Sequence, residues 1–369
     1  MSGLVITGSG VVSAAGVGLD AVADVLARDE PALAEVADLY PGVPLPDPLG
    51  HANRAFDRRA LLGRKGTTFM DRATAMAVVA CGQAIEDGRV VVDGTTRHRI
   101  GVALGTTNGS LSSSSDYSRE TMVQERPYLV NPMLFPNTIM NCAAGQCAIR
   151  YGLRGVNSTV AGGRTGFLGA LRYAANSLRR GYADVMLVGA AEEFTPHAAW
   201  AHHRLGRVGL PGEASAVFVL QTTGSASGGE PLVEVVSVVS AFRPGGGPVG
   251  PAAMLAAVVR RALDRAQLRT HDVGMFAGGE VPDAGGDEVE AEVVARVFGP
   301  SGVDRLRIRH LLGDCGAATG ALHLAAFLAR VRAGEDADRP VAVLANWSPD
   351  GSVAAAVVKG RDDVRVGRG

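Results

Sequence analysis

The chain has 369 residues, 20% of them charged, and a formal net charge of −1, so no global basic field exists to hold a nucleic acid or an anionic membrane. Hydrophobic residues make up 47% and aromatic residues 5%, which indicates a substantial core built from Ala, Val and Leu. No apolar run reaches the ~18–20 residues that span a bilayer, and Cys81, Cys142, Cys147 and Cys315 lack CxxC spacing; a soluble cytoplasmic protein with buried thiols and without disulfide, zinc site or cofactor is expected.

Short β-branched runs alternate with longer Ala- and Leu-rich periodic segments, the pattern of parallel sheets covered by helices, so the fold class is α/β. The N-terminus, MSGLVITGSGVVSAAG, lacks a basic n-region and alternates like a strand, so it reads as the first strand (4–12) and not as a signal peptide. Further strands are predicted at 100–104, 158–161, 185–189, 216–221, 232–239, 273–277, 341–345 and 353–358. Helices are predicted at 72–87, 165–179, 252–268, 287–297 and 317–332, each apolar on nearly every side, as expected of helices buried between layers. The proline-containing stretch 30–72 reads as a surface excursion of unassigned structure. The loop TTGSASGGEPL (222–232) is a composition shift, and the element order after it roughly repeats the order before it. Two similar halves, 1–225 and 226–369, making one intimate unit are the simplest account.

The stretch VNSTVAGGRTGFLGALRYA (156–174) is a strand, a Gly-rich turn and a helix start, a place where α/β enzymes mount a nucleophile, yet Arg164 stands at the elbow. VITGSGVVSAAG, DRATAMAVVACGQAIEDG, NTIMNCAAGQCAIRYGLRG, GYADVMLVGAAEEF, PGEASAVFVL and ANWSPDGSVAAAVV follow one another in an order and at a spacing that resemble the β-ketoacyl synthases along almost the whole chain. That resemblance implies a thiolase-like, five-layer αβαβα fold with duplicated halves and an obligate dimer across central strands. It also implies what an active member needs: a cysteine at the start of a buried helix, where the dipole lowers the thiol pKa, and two histidines that stabilise the enolate formed by decarboxylation.

Laid on the family pattern, the cysteine falls at Arg164 and the first histidine at Gly279, eight residues before Asp287, with Glu290 also kept. In RHLLGDCGAATG, Arg309 matches the family lysine, and the second histidine falls at Asp314 with one residue deleted or at Gly313 without the deletion. The Phe- and Gly-rich turn near the C-terminus has become NWSPDG. Loss of all three catalytic functions on a kept scaffold resembles the chain-length factors of type II polyketide synthases, in which glutamine rather than arginine usually replaces the nucleophile. The resemblance implies a catalytically inactive partner of an active ketosynthase, served by an acyl carrier protein, that shapes the tunnel for the growing polyketide acyl chain. Its tunnel floor falls on GSLSSSSDYSRETMVQERPYLVNP, near Ser112, Ser115 and Arg119 at i, i+3, i+7, with Tyr117 and Met122 as further candidate plugs. A solvated Ser-rich loop is the competing reading of that stretch.

Arg164 either fills the vacated thiol pocket, pairing with Asp314 or Glu193, or tilts outward as a solvated helix-start residue. Asp314 beside Cys315 in a Gly-rich turn reads as structural, because a carboxylate raises a neighbouring thiol's pKa. His202 and His203, diverging by ~100° on a helix, cannot share a metal and are expected at the surface or an interface. His197, His310 and His323 lack partners at ligand spacing and read as structural. GSGVVS and GGRTGFLG are not phosphate-binding loops, and turn geometry is taken to account for them. HHRLGRVGLPGEAS (202–215) is shorter than the matching loop of active synthases. Two alternatives stay open: acyl transfer or hydrolysis by a new set drawn from Asp314, Cys315, Glu280 and Arg164, and a homodimeric scaffold that binds a carrier protein.

Overall fold

The opening strand, β1 (Leu4–Ser13), is buried along its whole length, because it lies at the middle of the sheet with helices on both faces. The computed structural model describes residues 3–224, 228–244, 249–300, 302–335 and 340–361. Among them the first half supplies β2 (Ile100–Thr106), β3 (Asn157–Ala161), β4 (Val185–Glu192) and β5 (Ala214–Thr222). The second half supplies β6 (Val233–Phe242), β7 (Met275–Ala277), β8 (Asp304–Arg305), β9 (Val341–Trp347) and β10 (Ser352–Gly360). The strand order is β3-β2-β4-β5-β1 in the first and β8-β7-β9-β10-β6 in the second, so the same path is traced twice. The pairing senses also match, parallel among the outer three strands and antiparallel inward. A short antiparallel seam, Val5 opposite Glu234 and Ile6 opposite Val233, joins β1 to β6. The junction expected between 225 and 226 lies outside the described residues.

The helices that build the layers and the site are α1 (Arg72–Asp87), α2 (Leu111–Val123), α3 (Cys142–Tyr151), α4 (Gly166–Arg179), α5 (Pro196–Arg204), α6 (Pro251–Ala266), α7 (Gly286–Phe298) and α8 (Ala318–Ala333), and further helices span Leu19–Arg28, Arg58–Leu62 and Arg309–Leu312. The central layer is α4 and α8, whose Phe167, Leu171, Leu322 and Phe327 join inward-facing residues of both sheet halves in one core. A second core sets α1 and α3 against the first sheet half, and a third sets α6 and α7 against the second. These are the five αβαβα layers. Only α8 approaches burial on every side, with thirteen of sixteen residues buried against nine of fourteen in α4 and four of thirteen in α7, so the expectation of all-round burial fails for the other helices, which keep a solvated face.

Glycines set how closely the layers approach. A Cβ at Gly10 would lie 2.1 Å from the Ala80 carbonyl oxygen of α1, so GSGVVS is mid-strand, where its glycines admit a helix, and is not a turn as the sequence suggested. At Gly105 a Cβ would lie 2.4–2.5 Å from backbone atoms of Gly166 and Phe167, where α4 starts over β2. Gly105→Ala is therefore expected to cost about 3 kcal/mol, measured as a fall in denaturation midpoint with an unchanged slope. The 30–72 excursion is held down by Val36 and Ala52 packing on Phe194 and Ala199, by Tyr40 bonding the Phe194 carbonyl, and by Trp200 donating to the Pro44 carbonyl at 2.9 Å.

Candidate functional site

Strand β3 ends at Ala161, and the chain turns through Gly162 and Gly163 (φ +52°) into a short 3-10 turn, Gly163–Thr165, before α4 begins. The positive φ at Gly163 favours glycine, and it aims the next side chain under the sheet edge, not outward. Arg164 is 7% exposed. Its Nη1 donates to Asp314 Oδ1 at 2.7 Å and its Nη2 to the carbonyls of Gly279 (3.2 Å) and Glu280 (3.4 Å). Three positions far apart in sequence, Arg164, Gly279 and Asp314, thus meet at one point. The turn from NWSPDG closes over them: Asn346 Nδ2 donates to the Arg164 carbonyl at 2.8 Å. Of the two alignments at the second histidine, Asp314 faces this point, while Gly313 (φ +80°) lies against His51 and Gly212.

Burial alone pushes the Asp314 carboxyl up, but the charge and hydrogen bond of Arg164, with His202 and the Gly316 amide, outweigh it and hold the group below its ordinary range. Asp314 Oδ1 also accepts from the Gly316 amide at 3.2 Å. The pocket is filled by an ion pair whose carboxylate is anchored by backbone as well as by charge. Glu193, the other pairing candidate for Arg164, is occupied elsewhere. His202 Nε2 lies 3.8 Å from Asp314 Oδ2 and has no hydrogen-bond partner, and burial lowers its pKa. His202 is thus buried against the site, whereas His203 is exposed, edge-on to Trp200. The consecutive-residue spacing that separates them indicates which of the two turns inward only once α5 is placed.

The remaining polar candidates point away from this centre. The Glu280 carboxyl accepts from the amides of Ile308 (2.7 Å) and Arg309 (3.0 Å) and meets His323 Nε2 at 3.0 Å. Arg309 donates to the Glu280 carbonyl at 2.9 Å and reaches Asp287 at 3.4 Å, and Arg305 pairs with Glu290 at 3.1 Å. The Cys315 thiol is buried, lies 3.4 Å from the Leu312 carbonyl, and is pushed well up by burial and by Asp314. His310 pairs with Asp29 at 3.1 Å, and His197 is exposed.

The candidate tunnel residues lie on a helix, α2, and not on a loop. Ser112, Ser115 and Tyr117 are half-buried, while Arg119 is exposed and Met122 is 83% exposed. Tyr117 packs on Phe135 with ring centroids 5.9 Å apart, a contact the sequence did not suggest. The Ser110 hydroxyl caps α2, accepting from the Ser113 amide at 3.1 Å and donating to Glu193 Oε1 at 3.0 Å. Burial, then Asp71, pushes the Glu193 carboxyl up to about 7. A cavity of ≈ 20 Å³ is lined by the N-cap Ser110 and by Asp71, Thr74, Asn137, Met140 and Cys142 among others.

Exposed apolar side chains are concentrated in one stretch: nine of the twenty-two large ones among the described residues fall within 122–149, among them Tyr128, Phe135, Met140 and Ile149. Among the described residues β3 pairs only with β2, so its other edge is open there. No helix among the described residues is long and apolar enough to cross a membrane.

Residues 1–222 match the family model for the beta-ketoacyl synthase N-terminal domain. The 3-oxoacyl-[acyl-carrier-protein] synthase 2 of Vibrio cholerae is 32% identical over 140 residues, 38% of this chain and 34% of that protein; the chain thus spans about a third of the length of such relatives. The tetracenomycin polyketide synthase ketoacyl synthase beta subunit of Streptomyces glaucescens is 27% identical over 78% of this chain and 76% of that protein. Among solved structures, the ishigamide ketosynthase/chain length factor superposes with a TM-score of 0.86 at 34% identity, covering 97% of this chain and 99% of that one. The fold is thiolase-like, and with more than half of its length matched by the family model, the chain belongs to the β-ketoacyl synthase family.

Proposed function

We propose that this chain is a chain-length-factor-like subunit of a type II polyketide synthase, catalytically inactive in condensation, that pairs with an active ketosynthase and shapes the acyl-chain tunnel between them. The observation that carries the reading is the Arg164–Asp314 ion pair: where condensation needs a thiol and two imidazoles, the converging positions offer a guanidinium, a carboxylate and Gly279. A guanidinium stays protonated and is no nucleophile. The likeness to a ketosynthase/chain length factor over nearly the whole chain supports the same reading. The partner supplies the cysteine and histidines, and an acyl carrier protein delivers substrate to it. This chain contributes the apolar 122–149 face, the open edge of β3, and α2 with Ser112, Ser115 and Tyr117 over the end of the tunnel. Its halves, 1–225 and 226–369, act as one unit.

An acyl transferase built from Asp314, Cys315, Glu280 and Arg164 is disfavoured, because the Cys315 thiol is buried with a raised pKa and the Glu280 carboxyl is committed to His323 and two amides. The experiment is native mass of the protein alone and with its cognate ketosynthase, followed by acyl-chain analysis. A one-to-one heterodimer that makes chains only when both are present is expected. A homodimer indifferent to the ketosynthase would replace this reading with that of a carrier-protein scaffold.

A further inference from the structure

Helix α2 is thirteen residues long and none of them is buried, so no core side chain holds it and its start depends on its caps. Its first turn leaves amides without intrahelical partners. The N-cap Ser110 takes the Ser113 amide at 3.1 Å, and Glu193 Oε1 takes the Ser112 amide at 3.2 Å and the Ser110 hydroxyl at 3.0 Å. The same carboxyl serves a second helix. In α1 the N-cap Asp71 takes the Thr74 amide at 2.8 Å, and Glu193 Oε2 takes the Ala73 amide at 3.3 Å. One side chain, standing directly after the end of β4, therefore completes the caps of two helices with its two oxygens. Both helix N-termini carry partial positive charge, which suits a carboxyl group at their meeting point.

The two helices do not depend on it equally. Ten of the sixteen residues of α1 are buried in the core, so α1 keeps its place without this bond, whereas α2 has the Glu193 and Ser110 caps at its start, the Tyr117–Phe135 contact at its middle and the Glu120 carboxylate on the Asn131 amide toward its end. We infer that Glu193 is the positioning residue of α2: by tying the helix start to the end of β4 and to α1, it fixes where Ser112, Ser115 and Tyr117 sit, and through them the length at which the acyl chain stops. The length role rests on the reading of the chain as a tunnel-shaping subunit; the cap itself does not.

Glu193→Gln tests both. A carboxamide has one acceptor oxygen and serves only one of the two helices. Hydrogen exchange on the protein alone should show the amides of 112–115 exchanging about five- to tenfold faster, the yield of one lost cap, with α1 and the β-strands unchanged. Ser110→Ala, which leaves the carboxyl in place, should give the same α2-confined acceleration. Assembled with the ketosynthase, the Gln variant should spread the acyl-chain lengths at nearly constant total product. Unchanged exchange in α2, or acceleration spread equally over α1 and the sheet, overturns the positioning role. Local acceleration with an unaltered length distribution overturns the link to chain length. Absence of any joint product with the unaltered chain instead overturns the tunnel-subunit reading, leaving the exchange result to decide the cap.

Discussion

Arg164→Ala is expected to lower stability by about 3–5 kcal/mol at neutral pH, because it leaves a buried carboxylate without its cation. With an unfolding entropy of ~2.1 cal/mol/K per residue, a chain of 369 residues should melt about 4–6 °C lower. The sign of the pH dependence follows from Asp314. In the parent its folded pKa is depressed, so its stabilisation is present above the unfolded carboxylate range and is lost as pH falls through the folded value. Without Arg164, burial dominates and raises that pKa, so the folded variant takes up a proton that the unfolded chain releases. The gap between parent and variant is therefore widest at neutral pH and closes as pH falls toward ~4, the ordinary carboxylate value. Melting curves at pH 7 and pH 5 check this, and an equal gap at both would mean that Asp314 is not the group left uncompensated. Arg164→Ala with Asp314→Ala should cost less than the sum of the two single changes, since the pair is coupled. None of these variants is expected to gain condensing activity.

Ile149→Asp should weaken pairing with the ketosynthase at least about 100-fold, or roughly 3 kcal/mol, while leaving the melting temperature of the isolated chain within a degree or so of the parent. Ile149 is 75% exposed on α3, the helix whose Ala144 carbonyl accepts from Asn157 of β3, so its replacement costs little inside the fold, but a carboxylate desolvated at the proposed subunit contact would have no partner. Co-elution at low micromolar concentration is the readout. Undiminished co-elution would move the contact off this face.

Much of the architecture was legible in the sequence because β-branched runs and long periodic helices are determined by burial in a layered core. Helix α1 was placed at 72–87, as found, and β1 to within one residue. The two-residue β8 and the helix Leu19–Arg28 escaped, and the polar α2 was legible only as one of two readings, a helix face or a loop, since it owes its start to the Ser110 and Glu193 caps and not to a buried stripe. The meeting of Arg164, Gly279 and Asp314 followed from motif order. The inward turn of His202 and the double cap by Glu193 did not, because each depends on loops brought together across 81 residues or more.

The seam between β1 and β6 bears on biosynthesis. Strand β1, at the centre of the finished sheet, is made well before its neighbours at 214–222 and 233–242. At roughly 5–20 residues per second, β1 leaves the ribosome about 10–40 s before either flank exists to hydrogen-bond it. During that interval a strand that is buried along its whole length in the finished fold, LVITGSGVVS, has both edges open. The nascent chain is thus a long-lived client for chaperones, and the yield of folded protein should respond to translation speed and to trigger-type holdases more than to any property of the completed core.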